Sequence, residues 1–287
     1  MKGGGMSAAR RLYQRVWNED GTGSVFHAAV LLGGFAVTKL FVTLGWARRL
    51  PPIRRAYGSL YLYGKSLRDK KKTEYVLTHL QPGDVVVDVG AGAGYFAVCA
   101  AGKVGPSGRV ICIEPEPISR GLLEINTRRV ASETRGACEI LGIAVGERRQ
   151  NGVLHVCEWN LGESTLFPID VGTRECGVQV ESLDALRPAW EPVRMLKIDA
   201  QGWEAHILRG ALNLLRSDRP IVLIEYWPFG LANSGGNPSE LVSLLLSMNY
   251  RVYRLDRDGY PQVVDPGGLA DLTVGARSQC DLLALPA

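Results

Sequence analysis

A strand, a glycine turn, a helix and a second strand follow one another between Asp84 and Glu114, and this order constrains the fold more than any other part of the chain. The valine run 85–87 is typical of a strand buried on both faces of a parallel sheet. Three glycines follow on alternate positions, Gly90, Gly92 and Gly94. They let the backbone approach a ligand, and the helix predicted from Tyr95 to about Lys103 directs its N-terminus at the same place. The pattern predicts a nucleotide-binding α/β domain.

Two carboxylates flank this turn. Asp88 ends the first strand, and Glu114 ends the second one about twenty residues beyond the last glycine. A carboxylate at the second position can accept both hydroxyls of a ribose, which favours an adenosine-containing ligand. The negative charge of Asp88 suits a cationic ammonium group better than a pyrophosphate. S-adenosyl-L-methionine contains both groups, and we predict it as the cofactor.

Two alternatives to a protein that uses S-adenosyl-L-methionine as cofactor stay open. An NAD-dependent oxidoreductase needs a further glycine three positions after the second one, and Tyr95 occupies that position here. A non-catalytic, membrane-associated binding module could retain the same fold. The intact acids and glycines argue against such a degenerate module. The predicted cofactor-binding residues are Asp88, Gly90, Gly92, Gly94, Tyr95, Glu114 and Asp199.

Length and composition fit one α/β domain with an extension, since 287 residues with 46% hydrophobic side chains can bury a sizeable core. The six cysteines lack C-x-x-C spacing, so neither a zinc site nor a disulfide framework is predicted, and a reducing, cytoplasmic compartment fits best. The charge is uneven: residues 1–72 hold 14 Lys and Arg against 3 Asp and Glu. A basic leader on an acidic domain indicates an anionic surface nearby, and we expect a membrane and not a nucleic acid.

The N-terminal extension, residues 1–59, contains an apolar stretch at 25–46 that is long enough to span a bilayer, although Lys39 lies inside it. A spanning helix, an interfacial helix, and a helix packed on the domain or on a second subunit all remain possible. Arg48 and Arg49 follow directly, which disfavours a secretory signal. The expected location is the cytoplasm or the cytoplasmic face of the membrane. Residues 51–72 have the composition of a basic linker, and the predicted catalytic domain covers 60–287.

Two later strands also end in acidic residues. The apolar run 195–198 ends at Asp199 before a helix predicted from about Gly202 to Arg216, and the run 221–224 ends at Glu225. In an open parallel sheet, ligands bind beyond the carboxyl ends of the strands. We therefore expect four carboxylates along one edge of the sheet, from Asp88, Glu114, Asp199 and Glu225.

At this point the sequence from about residue 60 to 287 resembles the FkbM-type S-adenosylmethionine-dependent methyltransferases. The segments that carry the resemblance are "VVVDVGAGAGYF", "RVICIEPEP", Asn126 in "LEINTRR", "GIAVGER", "VESLDAL", "MLKIDAQGWEAHILRGA" and "PIVLIEYWP". The resemblance implies a Rossmann-like, doubly wound, seven-stranded and mostly parallel sheet. The last strands of the sequence suggest an antiparallel finish. The family resemblance also implies methyl transfer to a hydroxyl oxygen of a sugar, glycolipid or polyketide. Gln201 stands where the family usually has Glu.

A hydroxyl acceptor must lose its proton, and a base near the acceptor would assist this step. Asp199 is the first choice, because its strand end faces the predicted cofactor cleft. Glu204 could assist, but an acid in the first turn of a helix more often complements the helix dipole. Glu225 is expected either to hold a substrate hydroxyl or to cap the next turn.

Two histidines are further candidates for the base, His206 and His155, although a histidine without a visible partner is more often structural. Lys197 is expected to point away from Asp199 and to support the sheet through a salt bridge. No dense cluster of Asp and Asn indicates Mg²⁺, and no metal is predicted.

Overall fold

The structure is a computed structural model, and it describes residues 51–134, 137–157, 161–168, 173–256, 259–264 and 278–287. The chain divides into two compact units, Met1–Leu67 and Arg68–Ala287. The apolar stretch 25–46 lies outside the described residues. Among the helices that are described, none has both the length and the apolar character needed to cross a bilayer. The domain boundary at residue 60 stays a prediction.

A 27-residue helix, α1 (Pro51–Leu77), opens the described chain. The prediction of a basic linker over 51–72 is therefore wrong. Two prolines can begin the helix, because the first turn needs no backbone N–H donors. Near its end, Val76 and Leu77 are buried in a hydrophobic cluster with Leu80. These contacts show why charge alone was misleading: the lysines at 70–72 are followed by apolar residues at helical spacing that pack on the sheet.

The described residues form a central sheet of eight strands in the order β10-β9-β11-β8-β7-β1-β2-β3. Its strands are β1 (Val85–Val89), β2 (Arg109–Ile113), β3 (Ala137–Leu141), β7 (Val193–Ile198), β8 (Ile221–Tyr226), β9 (Tyr250–Leu255), β10 (Pro261–Val263) and β11 (Cys280–Pro286). Strands β3, β2, β1, β7 and β8 pair in parallel. The mostly parallel α/β fold is confirmed, and the short edge strand β10 makes eight strands where seven were expected.

The last strand, β11, lies between β8 and β9 and is antiparallel to both, as expected from the sequence. The order of the sheet reverses between β1 and β7, because β2 and β3 extend to one side of β1 while β7 and β8 extend to the other. Such a reversal opens a crevice at the carboxyl ends of the two strands, which is where open α/β sheets bind ligands. The fold thus predicts that the residues following β1 and β7 form the ligand-binding site.

Helices cover both faces of the sheet. Besides α1, the α-helices of the described residues are α2 (Tyr95–Val104), α3 (Pro117–Thr134), α4 (Leu183–Leu186), α5 (Glu204–Arg209), α6 (Leu212–Ser217), α7 (Pro228–Asn233) and α8 (Pro238–Ser247). One hydrophobic cluster joins α1 and α2 to one face, and a second joins α5, α6 and α8 to the other. This arrangement explains why the five residues of β1 are all buried.

A second sheet, of order β4-β6-β5, is formed by the segment between the third and the seventh strand. Its strands are β4 (Ala144–Val145), β5 (Gln150–Cys157) and β6 (Thr173–Glu181). The predicted helix 202–216 is in fact two helices, α5 and α6. A side chain at Gly210 would lie 2.0 Å from the carbonyl oxygen of Gly146, so the close passage of this backbone accompanies the break.

Candidate cofactor and active site

The glycine turn after β1 has the geometry that its sequence predicts. Gly90, Gly92 and Gly94 have φ values of 69°, 56° and 91°, in the left-handed region that favours glycine. A Cβ at Gly90 would lie 1.8 Å from the carbonyl oxygen of Asp199, and one at Gly94 would lie 2.6 Å from the Leu123 side chain. The turn is therefore pressed between the end of β7 and helix α3.

Helix α3 also fixes the turn through a hydrogen bond. The buried Asn126 donates from Nδ2 to the carbonyl oxygen of Ala93, at 2.8 Å. Sequence reasoning noted Asn126 only as part of a family motif and gave it no role. A contact between residues 33 positions apart leaves no local signal, so only the structure identifies Asn126 as a support of the turn.

Glu114 lies beside the turn, as predicted. Its Oε2 accepts a hydrogen bond from the backbone N–H of Gly92, and its Oε1 accepts one from that of Glu116, both at 2.8 Å. A carboxylate can accept about four hydrogen bonds, so each oxygen keeps capacity for a ribose hydroxyl. Burial raises the pKa of Glu114 to about 7, although the two N–H donors act in the opposite direction. The residues present therefore fit an adenosine group.

Asp88 is fully buried at the end of β1, where Lys197 donates to its Oδ1 at 2.9 Å. The same ammonium is 3.3 Å from the carbonyl oxygen of Gly90 and 3.8 Å from Asp199 Oδ2. Burial alone would lower the pKa of Lys197, but the charges of Asp88 and Asp199 outweigh it and raise the pKa. Asp88 thus lies within an ion pair that supports the turn; its predicted contact with an ammonium group stays a prediction.

The salt bridge expected for Lys197 is present, but the expected direction of its side chain is wrong. Residues two positions apart on a strand share a face, so Lys197 and Asp199 point the same way. The alternation also places Asp88 and Glu114 on that face, which is covered by α1 and α2. Glu225, near the end of β8, lies on the same face, in phase with Ile221 and Leu223. The two-residue period of a strand is enough to predict from the sequence that Lys197 and Asp199 lie on the same face.

Asp199 follows β7 and is tied to the turn, because its backbone N–H donates to the carbonyl oxygen of Val89 at 3.1 Å. Its side chain is 28% exposed, which leaves it accessible to a ligand. Gln201 Nε2 lies 3.0 Å from Asp199 Oδ1 and 2.8 Å from Glu225 Oε2. The structure therefore brings together two of the predicted catalytic acids and adds Gln201, to which the sequence assigned no role.

Glu204 is fully buried at the start of α5, and its Oε1 accepts hydrogen bonds from the backbone N–H groups of Ala200 and Gly202, each at 3.0 Å. It therefore fixes the loop after β7, and the interpretation that it complements the helix dipole stays a prediction. Burial raises the pKa of Glu204 to about 7, even though the backbone donors lower it. The contacts support a positioning role, and its predicted assistance in catalysis stays a prediction.

The two histidines have structural surroundings. His206 stacks on Trp203, with ring centroids 4.0 Å apart, and its Nε2 lies 3.0 Å from the carbonyl oxygen of Ser234. His155 belongs to β5 of the second sheet, where its Nδ1 is 3.9 Å from Glu175 Oε1. Neither set of contacts involves the predicted acids.

Tyr95 begins helix α2, and burial raises the pKa of its hydroxyl. No group of three or more His, Cys, Asp or Glu side chains that could hold a metal ion occurs in the described part of the chain. A cavity of about 390 Å³ lies between the second sheet and α4, lined by residues such as Arg149, Gln179 and Leu186. None of the predicted site residues lines it.

These observations define a class of protein: a doubly wound α/β domain with a glycine turn and a buried acid suited to an adenosine cofactor. The sequence matches the model of the Methyltransferase FkbM domain over residues 88–252, which is more than half of the chain. The chain belongs to this family. The domain is therefore an S-adenosylmethionine-dependent methyltransferase domain, and S-adenosylmethionine is its methyl donor.

Curated relatives match only short segments. A demethylmenaquinone methyltransferase from Symbiobacterium thermophilum is 42% identical over 65 residues, which are 22% of this chain and 25% of that protein. A protein-L-isoaspartate O-methyltransferase from Caenorhabditis elegans is 39% identical over 77 residues, 27% of this chain and 34% of that protein. The chain thus spans about a quarter to a third of the length of these relatives.

Solved structures are similar to this chain at low identity. The methyltransferase FkbM of Methylobacillus flagellatus KT is 17% identical with a TM-score of 0.44, over 86% of this chain and 59% of that one. An O-methyltransferase from Bacillus cereus, in complex with SAH, is 15% identical with a TM-score of 0.44, over 76% of this chain and 80% of that one.

Proposed function

We propose that the protein transfers a methyl group from S-adenosylmethionine to a hydroxyl oxygen of a sugar, glycolipid or polyketide-type acceptor. One observation carries this proposal. The partly exposed carboxylate of Asp199 belongs to a residue whose backbone contacts both Val89 and Gly90 of the cofactor turn. A base that adjoins the methyl donor is what transfer to a hydroxyl oxygen requires.

The methyl donor supplies an activated methyl group, so the protein has mainly to orient the acceptor and remove its proton. Asp199 is the proposed base, and its Oδ2 would receive the hydroxyl proton. Lys197, 3.8 Å from that oxygen, favours the ionised form of Asp199 before the reaction. Glu225, joined to Asp199 through Gln201, is proposed to hold a second hydroxyl of the acceptor.

Cofactor and catalytic roles can be separated with variants. Glu114→Ala is expected to abolish binding of S-adenosylhomocysteine in calorimetric titration, because it removes the carboxylate beside the turn. Asp199→Asn should retain binding and reduce single-turnover methyl transfer by roughly 10² to 10⁴, the usual contribution of a general base. Glu124→Gln, at a partly exposed acid on α3 that pairs with Arg128, is the control and should change neither property. Equal loss of cofactor affinity in both site variants would contradict this division of roles.

The acceptor can be found by comparing lipid and glycan extracts from cells with and without the gene. A mass difference of about 14 daltons on a hydroxylated compound supports the proposal, and tritiated S-adenosylmethionine then supplies the assay. A thermal-shift measurement addresses the oxidoreductase alternative, because a bound ligand raises the melting temperature. We expect a rise with S-adenosylhomocysteine and none with NADH.

A further inference from the structure

The side-chain amide of Gln201 lies between two carboxylates at the end of the sheet. Its Nε2 is 3.0 Å from Asp199 Oδ1 and 2.8 Å from Glu225 Oε2. An amide nitrogen carries two hydrogens, so this one atom can donate to both acids. We propose that Gln201 is a positioning residue that holds Asp199 and Glu225 together in the way that a bridging divalent cation would.

Charge explains why such a bridge is needed. Two carboxylates held near the same donor atom repel each other. This repulsion would raise the pKa of one carboxyl group or separate the two side chains. Lys197 is 3.8 Å from Asp199 Oδ2, but it is closer to Asp88, at 2.9 Å. Lys72 also attracts Asp199, but it is paired with Asp281. The partial positive charge of the Gln201 amide offsets the repulsion at the oxygens that face each other.

The backbone holds Gln201 in the required position. Its φ is 51°, a left-handed value that is unfavourable for a residue with a side chain and that persists only where the surroundings impose it. Here the N–H groups of the residues on either side, Ala200 and Gly202, both donate to Glu204 Oε1 at 3.0 Å. Ser234 Oγ donates to the carbonyl oxygen of Gly202 at 2.7 Å. The backbone of the loop is thus fixed on both sides of Gln201.

The catalytic consequence rests on the proposed role of Asp199. Gln201 would engage Oδ1 and leave Oδ2 to receive the proton of the acceptor, so the base is both ionised and oriented. The same contact makes Glu225 a fixed neighbour of the base. A neutral amide performs this task without a metal ion, which is the feature that can be tested without knowing the acceptor.

The first test uses Mn²⁺ as the probe, measured by electron paramagnetic resonance on the full-length protein. Gln201→Glu replaces the donor with a third carboxylate, and oxygen ligands of this kind bind Mn²⁺. We expect this variant to bind Mn²⁺ at least about tenfold more tightly than the wild type. Adding Asp199→Asn should return the affinity to the wild-type value. Equal affinity in the wild type and Gln201→Glu would overturn the proposal.

The second test removes the donor without adding charge. In Gln201→Met, the pKa of the Asp199 carboxyl, followed by ¹³C NMR with Asp199→Asn for assignment, should rise by about one unit. Gln201→Gly should give the same rise together with a higher melting temperature, because glycine adopts the left-handed φ without strain. An unchanged pKa in both variants would overturn the proposal. Calorimetry with S-adenosylhomocysteine on the same samples tests the proposed function separately, since failure there leaves both results on Gln201 intact.

Discussion

Two buried glutamates, Glu114 and Glu204, have carboxyl groups whose pKa burial raises to about 7. Each accepts two backbone N–H groups, and these donors favour the charged form without compensating fully for the loss of water. The two residues differ in what surrounds them. Glu114 lies at the cofactor turn, whereas Glu204 fixes the loop that carries Asp199 and Gln201. Protonation of Glu114 therefore changes the cofactor turn directly, whereas protonation of Glu204 changes the loop that carries Asp199 and Gln201.

Cofactor affinity should depend on the protonation of Glu114. Because its pKa is about 7, we expect binding of S-adenosylhomocysteine to strengthen as the pH rises from about 6 to about 8, since the carboxylate is the better acceptor for ribose hydroxyls. Glu114→Gln should weaken binding by roughly tenfold to a hundredfold and remove the pH dependence. Calorimetry at several pH values measures both effects. A wild-type affinity that does not change over this range would contradict the prediction.

Glu204 should make stability depend on pH. Its pKa rises from 4.5 to about 7 on folding, so the folded state binds the proton more tightly; the resulting stability is complete below about pH 4.5 and is lost as the pH rises through about 7. Glu204→Gln keeps an acceptor oxygen for Ala200 and Gly202 and carries no charge. At about pH 8 we expect it to be more stable than the wild type by on the order of 3 kcal/mol.

Urea denaturation at about pH 5 and about pH 8 checks this prediction. The difference between Glu204→Gln and the wild type should be small at the lower pH and large at the higher one. Glu74→Gln, which alters an exposed acid on α1, is the matched control and should behave as the wild type at both. A variant that is less stable than the wild type at about pH 8 would show that the charged form is the stabilising one.

At the scale of elements, the conformation of the glycine turn is fixed by the end of β7 on one side and by helix α3 on the other. Gly90 has a φ of 69°, and the backbone of Asp199 leaves no room for a Cβ there. Gly102, in the last turn of α2, has open space around its Cβ position. The same substitution should therefore have opposite effects at the two sites.

Gly90→Ala should destabilise the protein by about 3 kcal/mol or more, because the new methyl group would displace the end of β7 and the left-handed φ would be strained. Gly102→Ala should instead stabilise it by about 0.5–1 kcal/mol, through helix propensity. Chemical denaturation of both variants measures these free energies. Similar stabilities for the two would mean that the turn and β7 are not in contact.

The elements themselves were largely predictable. The apolar run of β1 lies between Asp84 and Asp88, and that of β8 lies between Pro220 and Glu225. Burial of both strands on two faces is therefore visible in the sequence. Two errors have physical causes. The charge of 51–72 hid the helix α1, and the break between α5 and α6 coincides with the close passage of the backbone at Gly146 to Gly210, a contact between residues far apart in the chain.

Across the whole molecule, an ion pair joins residues 209 positions apart, Lys72 on α1 and Asp281 on β11. Both side chains are partly buried, with 22% and 29% exposure. Such pairs are stronger than exposed ones because water screens them less. This contact anchors the end of α1 to the strand that lies beside β8 and Glu225.

A double-mutant cycle with Lys72→Met and Asp281→Asn should give a coupling free energy of about 1 kcal/mol. The exposed pair Lys70 and Glu74, 3.8 Å apart on the same helix, is the control and should give about 0.3 kcal/mol. Both cycles use equilibrium denaturation. Coupling no larger than in the control would mean that the pair adds nothing to the attachment of α1.

The sequence by itself determined the fold class, the glycine turn and the four acids at the strand ends, because the two-residue and 3.6-residue periods and the φ of glycine act within a few positions. Only the tertiary structure decided what those acids contact. The pairing of Asp88 with Lys197, the amide of Gln201 between Asp199 and Glu225, and the support of the turn by Asn126 join separate segments. Such contacts depend on the order of strands in the sheet, which no local pattern specifies.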